Sequence, residues 1–202
     1  NIMPDLHLSQ LQIGWLNAAF ATCYTLAQIP GGVLGQRYGA RLMYTVIGLV
    51  GLVATIATPL APVVLAGTAL FVALLAAQGL LGLAQGPVFP MFAAVSQTWF
   101  PPRQWALANG GNALIMNIGG AVTAPLIVVL TAHYGWQGAL LWLAPPTVLL
   151  TASWAWYGRD RPADHPRVTA AELAELDASD MAKPAPMTLA RMRQIVGQRD
   201  VR

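Results

Sequence analysis

Gln78 and Gln85 are the first side chains in this 202-residue chain whose type and spacing invite a chemical reading, because seven residues is nearly two helical turns and both amides then face the same way. An amide donates and accepts hydrogen bonds but cannot titrate or neutralise a carboxylate. Tyr24 and Gln28, one turn apart, and Asn112 and Asn117 further along are of the same uncharged kind. Between helices in a bilayer such groups act as hydrogen-bonding glue, at ~0.6 kcal/mol on average. Arg37 and Arg41 differ: set among Gly32, Gly35, Gln36 and Gly39, they can anchor topology or, since the glycines let two helix ends meet closely, bind helix C-terminal carbonyls. No nucleophile–base constellation is visible, so neither an enzyme nor any catalytic residue is expected. Gly31-Gly32-Val33-Leu34-Gly35 is no dinucleotide fingerprint, for it lacks G-x-G-x-x-G and no acid follows at about 20 residues. Cys23 is the lone cysteine, which excludes an internal disulfide and a cysteine-based metal site; it reads as a small buried apolar residue. No cofactor or metal is expected.

The elements that must carry these residues are membrane spans. Charged residues make up 9% of the chain against a usual ~25%, too few to cover a soluble surface. Residues 1–158 hold one acid, Asp5, and three bases, Arg37, Arg41 and Arg103, while the other charges crowd into the last 44 positions. A bilayer core of ~30 Å needs about 20 mostly apolar residues, and five segments qualify: about 11–34, 42–62, 67–96, 106–131 and 137–157. Alternate gaps face alternate sides, so loops 35–41 and 97–105 and tail 159–202 share one side and hold all 11 basic residues. By the positive-inside rule that side is cytoplasmic and the protein a multi-pass protein of the cell (inner) membrane, with the lipid bilayer as its partner. Trp15, Trp99, Trp105, Trp136, Trp154, Trp156 and Tyr157 near segment ends agree. The pI of 9.4 comes mostly from tail arginines interleaved with acids, a solvated face near anionic lipid and no nucleic-acid site. The expected fold is all-α: a transmembrane helical bundle over 1–158 and a cytoplasmic linker with short amphipathic helices over 159–202.

Leu34-Gly35-Gln36-Arg37-Tyr38-Gly39 and Leu130-Thr131-Ala132-His133-Tyr134-Gly135 both read Leu-x-x-x-Tyr-Gly on opposite faces, as an inverted repeat of three-helix units requires and as coincidence also allows. His133 reads as an interfacial surface residue. Gly79, Gly82 and Gly86 in the third span, and Gly110, Gly111, Gly119, Gly120 and Ala124 in the fourth, offer small faces for close helix contact. Pro30, Pro59, Pro87, Pro90, Pro125, Pro145 and Pro146 each remove a helix hydrogen bond and predict bends or breaks. In the tail, Thr169-Ala170-Ala171-Glu172 is a capping box opening a helix to about 178, and Thr188 starts a second one carrying Met192, Ile195 and Val196.

Gly32-Val33-Leu34-Gly35-Gln36-Arg37-Tyr38-Gly39-Ala40-Arg41 resembles the signature loop of the major facilitator superfamily, G-x-L-x-D-R-x-G-R/K-R, with Gln36 in place of the acid. Gly82-Leu83-Ala84-Gln85-Gly86-Pro87-Val88-Phe89-Pro90, then Trp99-Phe100-Pro101, then Asp160-Arg161-Pro162-Ala163-Asp164-His165-Pro166 look like the anion:cation symporter branch, whose members move sugar acids and other organic carboxylates. The resemblance implies transport of a small organic anion by alternating access. It implies too that residues 1–4 end a first helix, that the five spans are the second to sixth, and that a C-terminal six-helix half is missing, so this amino-terminal half alone is not expected to transport. It makes Tyr24, Gln28, Gln78, Gln85, Asn112 and Asn117 candidates for a substrate cavity, and Gly32, Gly35, Gln36, Arg37, Gly39 and Arg41 a cytoplasmic gating loop. The branch commonly has Arg and Glu where Gln78 and Gln85 stand, and Glu-Arg where Gln104 and Trp105 stand. The losses leave open an alternative, a transport-inactive membrane sensor or scaffold that keeps the fold.

Overall fold

A computed structural model describes Leu6 and residues 8–178 of the chain. Among these residues every regular element is helical: α1 (Gln10–Tyr38), α2 (Ala40–Val64), α3 (Gly67–Gln85), α4 (Val88–Trp99), α5 (Trp105–Trp142), α6 (Ala144–Tyr157) and α7 (Ala170–Ala178), with 3₁₀ turns at Pro102–Gln104 and Pro162–Asp164. The expected helix from Thr188, and residues 1–4, lie outside the described residues.

By length and composition, Ala40–Val64, Gly67–Trp99 and Pro102–Tyr157 are apolar enough to cross a membrane. The last runs for 56 residues; at ~1.5 Å each it would reach ~84 Å, far beyond a ~30 Å core. Gly135 resolves this, since its φ of 69° and ψ of 173° turn the chain inside α5. Two of the expected spans are each divided by a helix break. The 67–96 span is two helices, because Pro87 has no N–H to give the ladder; Gly86 still donates to Gly82 O at 2.9 Å and Met91 to Pro87 O at 3.0 Å, so the chain bends without turning back. The 137–157 span is divided at Leu143 for the same reason, with Pro145 and Pro146 following the break.

The two Leu-x-x-x-Tyr-Gly sequences build the same backbone corner. Gly39 has φ 86° and ψ 156°, Gly135 φ 69° and ψ 173°, and each joins two helical segments. Only glycine enters that region without strain.

α1 opens with a capping box that the sequence reading passed over: Ser9 N–H donates to Gln12 Oε1 at 2.8 Å and Gln12 N–H to Ser9 Oγ at 3.2 Å. It then runs in parallel with α3 and α4, its main partners. Glycines make that approach possible. A Cβ on Gly82 would run into the carbonyl of Phe20 and lie 3.0 Å from the Tyr24 nitrogen; one on Gly86 would meet the carbonyl of Tyr24 and, at 2.8 Å, Ala27 Cβ. Past Pro87 the small residues change helix: Gly31, Gly32 and Gly35 of α1 make room for Pro87, Pro90 and Met91. At the far end from the arginine loops, Leu8, Leu16, Leu70 and Leu74 form a buried apolar cluster. The fourth-span glycines do not serve this purpose: Gly110, Gly111, Gly119 and Gly120 have nothing within 4 Å of a Cβ position among the described residues.

Gly82→Ala should destabilise the bundle by about 1–3 kcal/mol, because backbone on both sides must shift. Gly51→Ala, where a Cβ meets open space, should be neutral or stabilising by up to ~1 kcal/mol. Thermal unfolding in detergent checks the pair, and equal midpoints for both variants would contradict the seam.

Candidate functional site

The α1–α2 corner is built from the end of one helix and the start of the next. Gly39 N–H completes α1 by donating to Gly35 O at 3.0 Å, and Met43 N–H opens α2 by donating to Gly39 O at 3.3 Å. Arg37 is exposed, its guanidinium 5.3 Å from the Tyr38 ring centroid. Arg41 instead reaches across the bundle, and its Nε and Nη2 donate to the Ala155 carbonyl at 2.9 and 2.7 Å, near the C-terminus of α6. Its backbone N–H donates to Asp160 Oδ1 at 2.8 Å, and Trp154 Nε1 donates to its carbonyl at 3.3 Å. Tyr44 packs edge-on against Trp154 at 5.3 Å and donates to Val88 O at 3.1 Å, which ties α2 to α4. Gln36 is exposed, while Gly32 and Gly35 face Pro90 and Met91.

The polar candidates separate into two groups. Tyr24 and Gln28 are half-buried on α1, where backbone atoms of both touch the glycine seam; the Tyr24 ring stacks on Phe20 at 5.9 Å. Gln78 is half-buried beside Gly79, level with Cys23, and Gln85 is exposed beside Gly86, level with Gln28. Four of the six thus lie on the α1–α3 helix pair. Asn112 and Asn117 stay on α5. The Asn117 amide donates to Ala113 O of its own helix at 2.7 Å, and that of Asn112 points to Met116 Sδ at 4.0 Å. Within the described residues no group of acids, histidines and cysteines has metal-binding spacing.

Loops 35–41 and 97–105 and the chain beyond Tyr157 meet at one end of the bundle. There His165, buried, accepts the Arg167 N–H through Nδ1 at 3.2 Å and sits between Tyr157 and Trp99, with ring centroids 4.7 and 5.8 Å away. Arg103 pairs with Glu175, an exposed contact of the sort worth little by itself. A cavity of about 610 Å³ opens between them, lined by Trp99, Phe100, Trp154, Tyr157, His165 and Glu172 among others. The expected capping box is present at α7, with Thr169 N–H donating to Glu172 Oε2 at 2.7 Å and Glu172 N–H to Thr169 Oγ1 at 3.3 Å. The backbone N–H and then the hydroxyl of Thr169 hold the Glu172 carboxyl below its usual range. Sequence reasoning did not single out Trp154, Ala155 or Asp160 as contacts of the arginine loop. Asp160 was visible only as the start of the Asp-Arg-Pro stretch.

Apolar helices of crossing length and a glycine–arginine corner at one end define, among the described residues, a multi-pass helical membrane protein. The chain belongs to the major facilitator superfamily, whose family model matches residues 1–199. It is 31% identical over 189 residues, 91% of this chain and 42% of that protein, to a probable sulfoacetate transporter, SauU, of Cupriavidus necator. Against a hexuronate transporter of Bacillus subtilis the identity is 30% over 67% of this chain and 31% of that protein. A probable galactarate/D-glucarate transporter, GarP, of Escherichia coli is 29% identical over 85% of this chain and 38% of its own length. The chain thus spans about two fifths or less of the length of these relatives.

Because the Glu172 pKa is depressed in the folded state, its stabilisation of α7 is complete above the unfolded glutamate value of ~4.3 and is lost as pH falls through the lower folded one. Glu172→Gln keeps the box and removes the titration. The ratio of α7 amide protection in the natural protein to that in Glu172→Gln should hold steady from about pH 7 to 5 and fall below about pH 4; a ratio flat across the range would contradict the assignment.

Proposed function

We propose that this chain is most of the amino-terminal half of a secondary transporter that carries a small organic anion, a sugar acid or another carboxylate, across the cell (inner) membrane by alternating access. In this reading the half rocks against a second six-helix half that follows it, and loops 35–41 and 97–105 and the linker are cytoplasmic. Gly32, Gly35, Gln36, Arg37, Gly39 and Arg41 form the gating loop. Tyr24, Gln28, Gln78 and Gln85, with Asn112 and Asn117 on α5, face the solute.

The observation that carries the reading is an α1–α3 pair that bears Gln28, Gln78 and Gln85, with Gln28 backbone beside Gly86, in a bundle whose expected spans hold no Asp, Glu, Lys, Arg or His. Amides can bind the hydroxyl and carboxylate oxygens of a sugar acid, yet they offer no proton site. Coupling, where it exists, then belongs to the other half. The names of the relatives support the solute class, since each reported above is named for an organic acid.

Uptake of labelled hexuronate, galactarate, glucarate and sulfoacetate into cells making the natural full-length protein tests this. At least one should accumulate; no uptake of any organic acid by correctly inserted protein would sink the solute class. Gln78→Ala and Gln85→Ala should each lower uptake about tenfold or more, the loss expected for one hydrogen bond to a charged solute. Gln85→Glu should depress uptake at neutral pH, where its carboxylate repels the anion, and recover on acidification as the group becomes protonated. If none of the substitutions moves uptake, the solute passes elsewhere.

A further inference from the structure

The α1–α2 corner has a chemical gap that its own sequence does not fill. The cap of α2 is Gly39, which has no side chain to accept from the first-turn N–H groups. Loop 35–41, Gly-Gln-Arg-Tyr-Gly-Ala-Arg, carries two cations and no acid. The acceptor comes from a distant part of the sequence. Asp160, 119 residues beyond Arg41, places Oδ1 2.8 Å from the Arg41 N–H. Gly39 is bare on the side where this carboxylate sits, for an added Cβ there would collide with it. The exchange is returned in kind. Arg41 donates twice to Ala155 O, and Trp154 Nε1 closes the loop on Arg41 O. An anion thus meets the N-terminus of α2 and a cation the C-terminus of α6, each matching the partial charge of the helix end it touches. The Gly135 corner, with a similar backbone, has nothing within 4 Å of its Cβ position among the described residues. The bracing is therefore no general property of the Tyr-Gly corner.

We propose that Asp160 is a positioning residue of the gating loop: its carboxylate caps α2 from the start of the linker and, together with Arg41, makes the α1–α2 corner, the end of α6 and the linker exit move as one body. Its importance for transport rests on the transporter reading above; the latch itself does not.

Two measurements on the natural full-length protein separate these. In nanodiscs, hydrogen–deuterium exchange over residues 40–44 should speed roughly fivefold in Asp160→Ala, the effect of a lost helix cap of ordinary strength, while α3 is unchanged. Asp160→Asn, which keeps an acceptor, should stay within about twofold of the natural protein. The defects of Gly39→Ala and Asp160→Ala should not add, since the collision exists only with the carboxylate present, whereas those of Gly135→Ala and Asp160→Ala should add. Unchanged exchange over 40–44 in Asp160→Ala, acceleration spread evenly over all helices, or strict additivity with Gly39→Ala would each overturn the latch. Uptake is the second measurement: a severalfold fall in Asp160→Ala with Asp160→Asn near normal is expected. Loosened exchange with unaltered uptake would overturn the positioning role. A natural protein that transports no organic acid would sink the transporter reading and leave the latch to be decided by exchange.

Discussion

The contact on which the rest of this bundle depends is the backbone-to-backbone approach of α1 with α3 and α4. In lipid there is little hydrophobic force to press helices together, so close packing and interhelical hydrogen bonds must do it. Gly82 and Gly86 bring α3 against the main chain of α1 between Phe20 and Gln28, and beyond Pro87 the role passes to Gly31 and Gly35 of α1. This exchange is what lets the proline bend be accommodated. Where α3 gives way to α4 and side chains return on that strand of the seam, α1 loses its own. The same register sets Gly86, next to Gln85, level with Gln28 and Gly79, next to Gln78, level with Cys23.

The charges obey a second constraint. Few are present before residue 158; Arg41 finds work at the end of a helix, while Arg103 pairs with the Glu175 side chain of α7. Arg41 answers the C-terminus of α6, Asp160 the N-terminus of α2, and Glu172 the start of α7. Each makes hydrogen bonds to groups that a helix end leaves unpaired. The linker is also held by apolar means, with His165 wedged between Trp99 and Tyr157. Helix ends, linker and loops therefore form one connected region, although their residues come from three separate parts of the chain.

Much of this was legible in advance where the cause is local. Thr169 and Glu172 mark the α7 start, because a capping box needs only four consecutive residues. The two Tyr-Gly corners were visible as an echo, and their similar φ and ψ show that the same local chemistry builds both. The Ser9–Gln12 box could have been found by the same rule. Other features were illegible. Arg37 and Arg41 look alike in the sequence, but only Arg41 faces Ala155, while Arg37 lies over its neighbour Tyr38. Gly82 and Gly119 look alike too; one is pressed against backbone and the other meets open space among the described residues. Asn117 turned to its own helix at Ala113, an option open to any helical asparagine that spacing alone cannot exclude.

By itself, then, the sequence determined that the chain is a multi-pass helical bundle, that its arginine loops belong to one end, and that it carries the marks of the major facilitator superfamily. Bilayer thickness, the cost of burying charge and the missing N–H of proline act along one dimension, and a one-dimensional record suffices to read them. The tertiary structure alone decided which helix accepts which glycine face, which carbonyl receives Arg41 and which carboxylate caps α2. The two polar pairings join residues more than 100 positions apart, and all of them exist only once several helices have packed at distances that missing side chains allow.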